Sequence, residues 1–126
     1  MKKYVMGLLI LFAVTLLTVL SQSYTRSTVD RLQKDTDTML TLIENEEFDA
    51  CLSLLEETKS RFAKREPVMA SYTSHLRLDE VTASLGRLKA YLKKESANDG
   101  MAEIYALQEK LDIILREEKI TPENIL

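Results

Sequence analysis

The sequence predicts an all-α protein in which an N-terminal transmembrane helix continues into an antiparallel bundle of about four helices. Three observations lead there. Tyr4 to Leu20 is almost wholly apolar, and no charged residue stands between Lys3 and Arg26. Gly and Pro are scarce, with 3 and 2 copies, whereas strand-rich folds consume these residues in their turns. Beyond the leading stretch, apolar residues recur at steps of three and four, the period of a buried helical stripe.

The leading segment has the dimensions of a membrane span. A helix from Tyr4 to Tyr24 rises about 30 Å at roughly 1.5 Å per residue, matching the hydrocarbon thickness of a bilayer. Between Tyr4 and Leu20, Thr15 and Thr18 are the only clearly polar interruptions. Tyr4 and Tyr24 stand where interfacial aromatic anchors belong, and Lys2 and Lys3 place the N-terminus in the cytoplasm. The chain therefore divides into a cytoplasmic start and anchor, 1–24, and an extracytoplasmic helical domain, 25–126. A cleavable signal is the alternative, with Val19-Leu20-Ser21 as the cleavage pattern. The apolar run exceeds an ordinary signal core and no lipid-attachment Cys follows it, which favours a retained single-pass anchor in the plasma membrane. Secretion after cleavage near Ser21 exports the same domain.

Each later element follows from its pattern. Thr25, Val29, Leu32, Thr36, Met39 and Ile43 form one stripe, and no Gly or Pro separates it from the span. One helix is expected from Tyr4 to about Glu44. Asn45-Glu46-Glu47 reads as a turn with Asn45 as the stop. Phe48, Cys51, Leu52, Leu55, Thr58 and Phe62 share the face of a second helix, which Pro67 is expected to end. From Pro67 to Glu95 the apolar residues fall into two sets. Met69, Tyr72 and Leu76 lie about half a turn out of phase with Leu78, Val81, Leu85, Leu88 and Leu92. Two readings fit. The helix breaks near Arg77–Asp79 with Asp79 as a cap, or it runs straight and is buried on two sides, with Ala83, Gly86 and Ala90 on the second face. No Gly or Pro interrupts the phase change, which favours the straight helix. Ser96 to Gly100 reads as a turn, and Met101, Ile104, Leu107, Gln108, Leu111, Ile114 and Leu115 form the inner face of a last long helix. Thr121-Pro122-Glu123-Asn124 reads as a terminal hook. Short loops make neighbours antiparallel and a four-helix bundle the simplest closure. A looser array resembling tetratricopeptide hairpins is the alternative.

Composition narrows the function. The chain carries 17 Lys and Arg against 20 Asp and Glu, without the basic block of a nucleic-acid or polybasic lipid site. The lone Cys51 allows no internal disulfide, and its place on the apolar stripe reads as core. The lone His75 leaves acid–base and metal chemistry without partners, apart from a hydrogen bond toward Asp79. Glu44, Glu46, Glu47 and Asp49 lack the spacing and Gly of a calcium loop and read as a solvated helix start. Tyr72, Tyr91 and Tyr105 either mark a groove or edge the core. Catalytic, metal and cofactor-binding residues are each expected to be none.

A set of segments resembles a known family. They are the Lys-Lys start and span, Glu46-Glu47-Phe48-Asp49-Ala50-Cys51, His75-Leu76-Arg77-Leu78-Asp79-Glu80-Val81, Ser84 to Leu92, and Asn124-Ile125-Leu126. Together they resemble the bacterial domain-of-unknown-function family 4363, small membrane-anchored helical proteins mainly of Gram-positive groups. The resemblance spans essentially the whole chain and implies, through its association with multi-pass membrane proteins, a membrane partner. It supplies no activity and no site residues. The expected role is therefore a non-enzymatic interaction or accessory subunit, touching the bilayer through residues 4–24 and another membrane protein or a second copy of itself. A bundle of this size is expected to leave one apolar helix face uncovered for that partner. A ligand-binding or sensor module working through a membrane partner is the alternative. No nucleic acid is implied.

Overall fold

The computed structural model describes residues 2–118 and consists there of four helices without a strand. They are α1 (Lys2–Glu44), α2 (Phe48–Met69), α3 (His75–Lys93) and α4 (Ala97–Glu118). α1 packs on α2 and α4, α3 packs on the same two, and the diagonal pairs make no close approach. Contact between the first and last helices closes the ring, so the chain is an antiparallel bundle and not an open array of hairpins. The hook expected at 121–124 lies outside the described residues.

α1 is one helix of 43 residues, about 65 Å long at roughly 1.5 Å per residue. Its outer half belongs to the bundle. Thr25, Val29, Leu32, Thr36, Met39 and Ile43 are buried as expected, and Thr28 and Asp35 join them. Its first half touches almost nothing. Large side chains from Tyr4 to Leu20 are exposed, the most apolar window has mean hydropathy 2.4, and none of that window is buried. The helix is long and apolar enough to cross a membrane. Its polar interruptions are satisfied internally. Thr15, Thr18 and Ser21 donate to the carbonyls of Leu11, Val14 and Leu17 at 2.9, 2.9 and 2.8 Å, so they present no unpaired donor to an apolar medium.

Two turns share one device. After α1, Glu47 N–H donates to the Leu42 carbonyl at 2.8 Å and Glu46 N–H to Ile43 at 3.0 Å. After α3, Ser96 N–H donates to Tyr91 and Glu95 N–H to Leu92, both at 3.0 Å. These are Schellman closures, which place their penultimate residue in the left-handed region. Glu46 and Glu95 occupy it, with φ of 58° and 54°. Asn45 therefore precedes the conformational stop expected of it.

The third segment departs from expectation. It is neither a straight helix nor broken at Arg77–Asp79. Pro67 does not end α2, which continues to Met69. Pro67 cannot donate to the carbonyl one turn earlier, that of Ala63, but both residues are exposed, so water takes up the freed acceptor. The break falls at Ala70–Ser74. There Ser71, Tyr72 and Thr73 N–H groups turn back onto the carbonyls of Val68, Met69 and Met69. Met69 thus serves the α2 core, while Leu78, Val81, Leu85, Leu88 and Leu92 serve α3. Ala83, Gly86 and Ala90 are exposed and line no second interface. The phase change in the sequence is the signature of two helices. Ser74, not Asp79, occupies the cap position of α3, with no side-chain cap bond.

The turn expected over Ser96–Gly100 is shorter than its composition implies. α4 already begins at Ala97, where Ser96 Oγ donates to Asp99 at 2.7 Å. Gly100 is buried inside the first turn, and a Cβ there would meet Ile43 Cδ1 at 3.4 Å. That is an ordinary van der Waals distance, so Gly100 is a buried helical position facing α1 and α3 and not a turn residue. Polar pairs then set register. Gln33 and Gln108 bind Asp112 and Asp37 across α1 and α4, each at 2.8 Å. Ser84 and Arg87 share Glu103 across α3 and α4, at 2.7 and 2.8 Å.

Gly86 has nothing within 4 Å of where a Cβ would stand. Gly86→Ala should stabilise the bundle by about 0.5–1 kcal/mol by restricting the unfolded chain. Glu46→Gly and Glu95→Gly should each add a similar ~0.5–1 kcal/mol by relieving left-handed strain. Urea titrations of the detergent-solubilised chain, followed by far-UV circular dichroism, read these differences. Loss of stability in Gly86→Ala would show that α3 has a second packed face.

Candidate functional site

Among the described residues, large apolar side chains exposed outside the leading span are limited to Val68, Leu76 and Tyr105. Among the described residues α1 to α4 each bury their stripe in one core, and these three side chains do not form the continuous uncovered helix face expected from the sequence.

A cleft of about 500 Å³ lies between α1 and α2. Helical spacing builds it. Thr28, Leu32 and Asp35 stand on one side of α1 at steps of four and three, while Thr58, Arg61, Phe62 and Arg65 stand on the facing side of α2. Leu32 and Phe62 are buried and form an apolar floor. The rim bears Arg31, Lys34, Arg61, Lys64 and Arg65 against Asp30 and Asp35. This cleft is cationic on a chain whose net charge is −3.

Asp35 organises the interior. It is 7% exposed, and its Oδ2 accepts from Arg61 Nη2 while Oδ1 accepts from Arg31 Nε at 3.3 Å. Thr58 Oγ1 stands 3.2 Å from the same Oδ2 and 2.8 Å from the Leu54 carbonyl. One hydroxyl proton serves both acceptors, and the shorter contact holds most of it. Arg61 Nε is buried without an acceptor among the described residues. At the far end Arg65 donates to Thr28 Oγ1 at 3.0 Å and Ser27 Oγ at 3.3 Å. Its guanidinium lies 4.9 Å from the centre of the Tyr24 ring, a cation–π distance. Such a cleft can hold an anionic group by charge-assisted hydrogen bonds over an apolar floor.

The other singled-out residues lie elsewhere. Cys51 is fully buried on α2, with Sγ 3.8 Å from the Met39 carbonyl. Burial pushes its thiol up to about 11. His75 opens α3 and is exposed. Glu44, Glu46, Glu47 and Asp49 are exposed around the first turn, and no group of three or more His, Cys, Asp or Glu among the described residues is placed to hold a metal ion. Tyr72 sits in the α2–α3 turn, Tyr91 near the end of α3 and Tyr105 on the outside of α4, so the three tyrosines do not share a groove.

Sequence reasoning missed the α1–α2 charge cluster. A signal was present, because Thr28, Leu32, Asp35 and Met39 repeat at four, three and four. That spacing places Asp35 on the buried side, but an acid is ordinarily read as solvent-facing.

Two measurements check this geometry. Asp35→Ala leaves Arg31 and Arg61 without their shared carboxylate. The Arg61 side chain is 38% exposed, so the loss should be about 2 kcal/mol, below the ~3–5 kcal/mol of a fully buried pair, read as a lowered urea midpoint. Cys51 should stay unmodified by a water-soluble disulfide reagent at pH 8, where a thiol with this value is roughly one part in a thousand ionised. Because the folded thiol titrates above the unfolded one, the stability it contributes is intact below pH 9.0 and declines as pH rises toward about 11. Rapid native labelling would contradict the buried placement.

No curated protein and no solved structure matches the chain. The model of a family described as "Domain of unknown function (DUF4363)" matches residues 19–125. The match takes in the whole bundle and its junction with the apolar part of α1, and leaves most of that apolar part outside. On this match the chain belongs to the DUF4363 family.

Proposed function

We propose that the protein is a single-pass, membrane-anchored accessory subunit. Its bundle stands outside the cytoplasm and engages a partner in the membrane complex through the α1–α2 cleft. The observation that carries this reading is the continuity of α1, whose exposed apolar half and buried half form one unbroken helix. An exposed apolar surface of this length is unstable in water and matches a bilayer, and Lys2 and Lys3 orient it by the positive-inside rule. The bundle carries no apolar docking face, so recognition falls to charge. The cleft is the place where cations gather, and it suits an acidic segment of a neighbouring protein. Nothing in the constellation pairs a nucleophile with a base, which supports a non-enzymatic role.

A second reading rests on the volume of the same cleft. About 500 Å³ lies within the range of small-molecule sites, and an anionic ligand there would make the protein a binding or sensor module acting through its partner.

The test is site-specific photocrosslinking in native membranes, with the reactive residue replacing Lys64 in the cleft or Ala83 on the outside of α3. The first should yield a discrete adduct with one membrane protein, and the second should not. Equal adducts from both positions, or none from Lys64, count against the cleft as the docking surface. Topology is checked separately. A reporter enzyme that works only in the cytosol, fused after Leu126, should be inactive, and activity would place the bundle on the wrong side.

A further inference from the structure

The α2–α3 turn sits at the level where α1 leaves its apolar stretch. Thr25 Oγ1 donates to the Tyr72 hydroxyl at 3.0 Å. Tyr72 also lines a shallow recess with Val14, Leu17, Thr18, Ser21 and Gln22 of α1. The turn is therefore held beside the last turns of the apolar segment, not raised above it. Val68, one residue before the end of α2, is 50% exposed, and Leu76, the second residue of α3, is 64% exposed. Two of the three large apolar side chains exposed on the bundle thus cluster at this one tip. Basic groups lie just above them. Arg26 is the first charge after the span. Arg65 is tied to Ser27 and Thr28, about one helical turn from Thr25 toward the bundle, and Lys64 precedes it.

We infer that this tip, residues 68–76, is a second membrane-contact site. It is seated in the headgroup region beside the span, with Val68 and Leu76 directed into the lipid and Arg26, Lys64 and Arg65 at the level of the phosphates. The occupant is the lipid bilayer itself, because the tip is continuous in height with the segment that α1 would thread through it. Apolar residues below a cationic belt are the arrangement that favours an interfacial seat. Two attachment points, a span and a tip, fix both tilt and rotation of the bundle, so the α1–α2 cleft faces neighbours at a constant height. The inference rests on the anchored reading of α1.

The chain has no Trp, so one introduced indole reports one position. Val68→Trp, Leu76→Trp, Tyr105→Trp and Leu9→Trp are each made in the full chain. They are reconstituted in phosphatidylcholine–phosphatidylglycerol vesicles and quenched either by lipid brominated near the headgroup end of the acyl chain or by aqueous acrylamide. Tyr105 is exposed on α4 near the level of Met39, roughly 20 Å from Thr25 along the bundle. Trp at 68 and at 76 should show blue-shifted emission, lose intensity to bromolipid and resist acrylamide, while Trp at 105 behaves oppositely and Trp at 9 is shielded from acrylamide. If 68 and 76 respond like 105 while 9 remains shielded, the tip does not touch lipid and the anchor still stands. If 9 is also open to acrylamide, anchor and tip fail together. Shielding of 68 and 76 from both quenchers would mark a protein contact and overturn the lipid assignment. Sites 68 and 76 are read independently, and far-UV circular dichroism of each variant excludes a misfolded reporter.

Discussion

Everything in this molecule is arranged around one helix with two unlike halves. The first half of α1 buries nothing within the chain, whereas the second half supplies one of the four walls of the bundle core. No Gly, Pro or change of helix type lies between them. A hinge would let the bundle wander, and an unbroken helix carries the orientation of its first half into the second. Thr15, Thr18 and Ser21 in the apolar half are tied back to their own backbone, so these hydroxyls present no unpaired donor along it. None of the residues from Lys2 to Tyr24 is buried, and the core is built from Thr25 onward.

The remaining helices meet α1 through two kinds of contact with different consequences. Leu, Ile, Val and Met close a core without Trp and without disulfides, and this is enough because four stripes face one another. Polar pairs at the helix seams choose the register in which those stripes meet. The α1–α4 seam is stitched by amides on carboxylates, Gln33 to Asp112 and Gln108 to Asp37, and the α3–α4 seam by the ion pairs Arg87–Glu103 and Arg77–Glu117. The α1–α2 seam is not balanced: Asp35 takes two arginines, and Lys34, Lys64 and Arg65 add positive charge around it. A single buried carboxylate thus gathers cations into one cleft of an acidic protein. The neighbouring α2–α3 seam carries the exposed pair Lys89–Glu56 at 2.8 Å. There the Lys89 ammonium holds the Glu56 carboxyl below its usual range, a surface interaction of little structural weight.

Periodicity made most of this architecture legible. The stripes Thr25–Ile43, Cys51–Phe62, Leu78–Leu92 and Ile104–Ile114 all lie inward, because which side of a helix is apolar is a local property written residue by residue. The apolar run of α1 was equally plain. What misled the reading was the span from Pro67 to Leu78. There a proline that usually ends helices is accommodated on an exposed face, and five ordinary residues, Ala70 to Ser74, make the real break without Gly or Pro. The Ser96–Gly100 segment misled in the opposite sense, since its glycine lies inside the first turn of α4, packed beside Ile43, and not in a loop.

By itself, then, the sequence determined the helices, their inner faces, the unbroken passage from apolar segment to bundle and the burial of Cys51, since each depends on neighbours within one or two turns. Tertiary structure alone decided which helices are adjacent and that, among the described residues, the bundle leaves only Val68, Leu76 and Tyr105 as exposed large apolar side chains. It also made Asp35 the centre of a cationic cleft and brought Tyr72 down beside Thr25. Those outcomes depend on residues tens of positions apart meeting across a seam. Pattern along one chain carries no record of that meeting until the helices are packed.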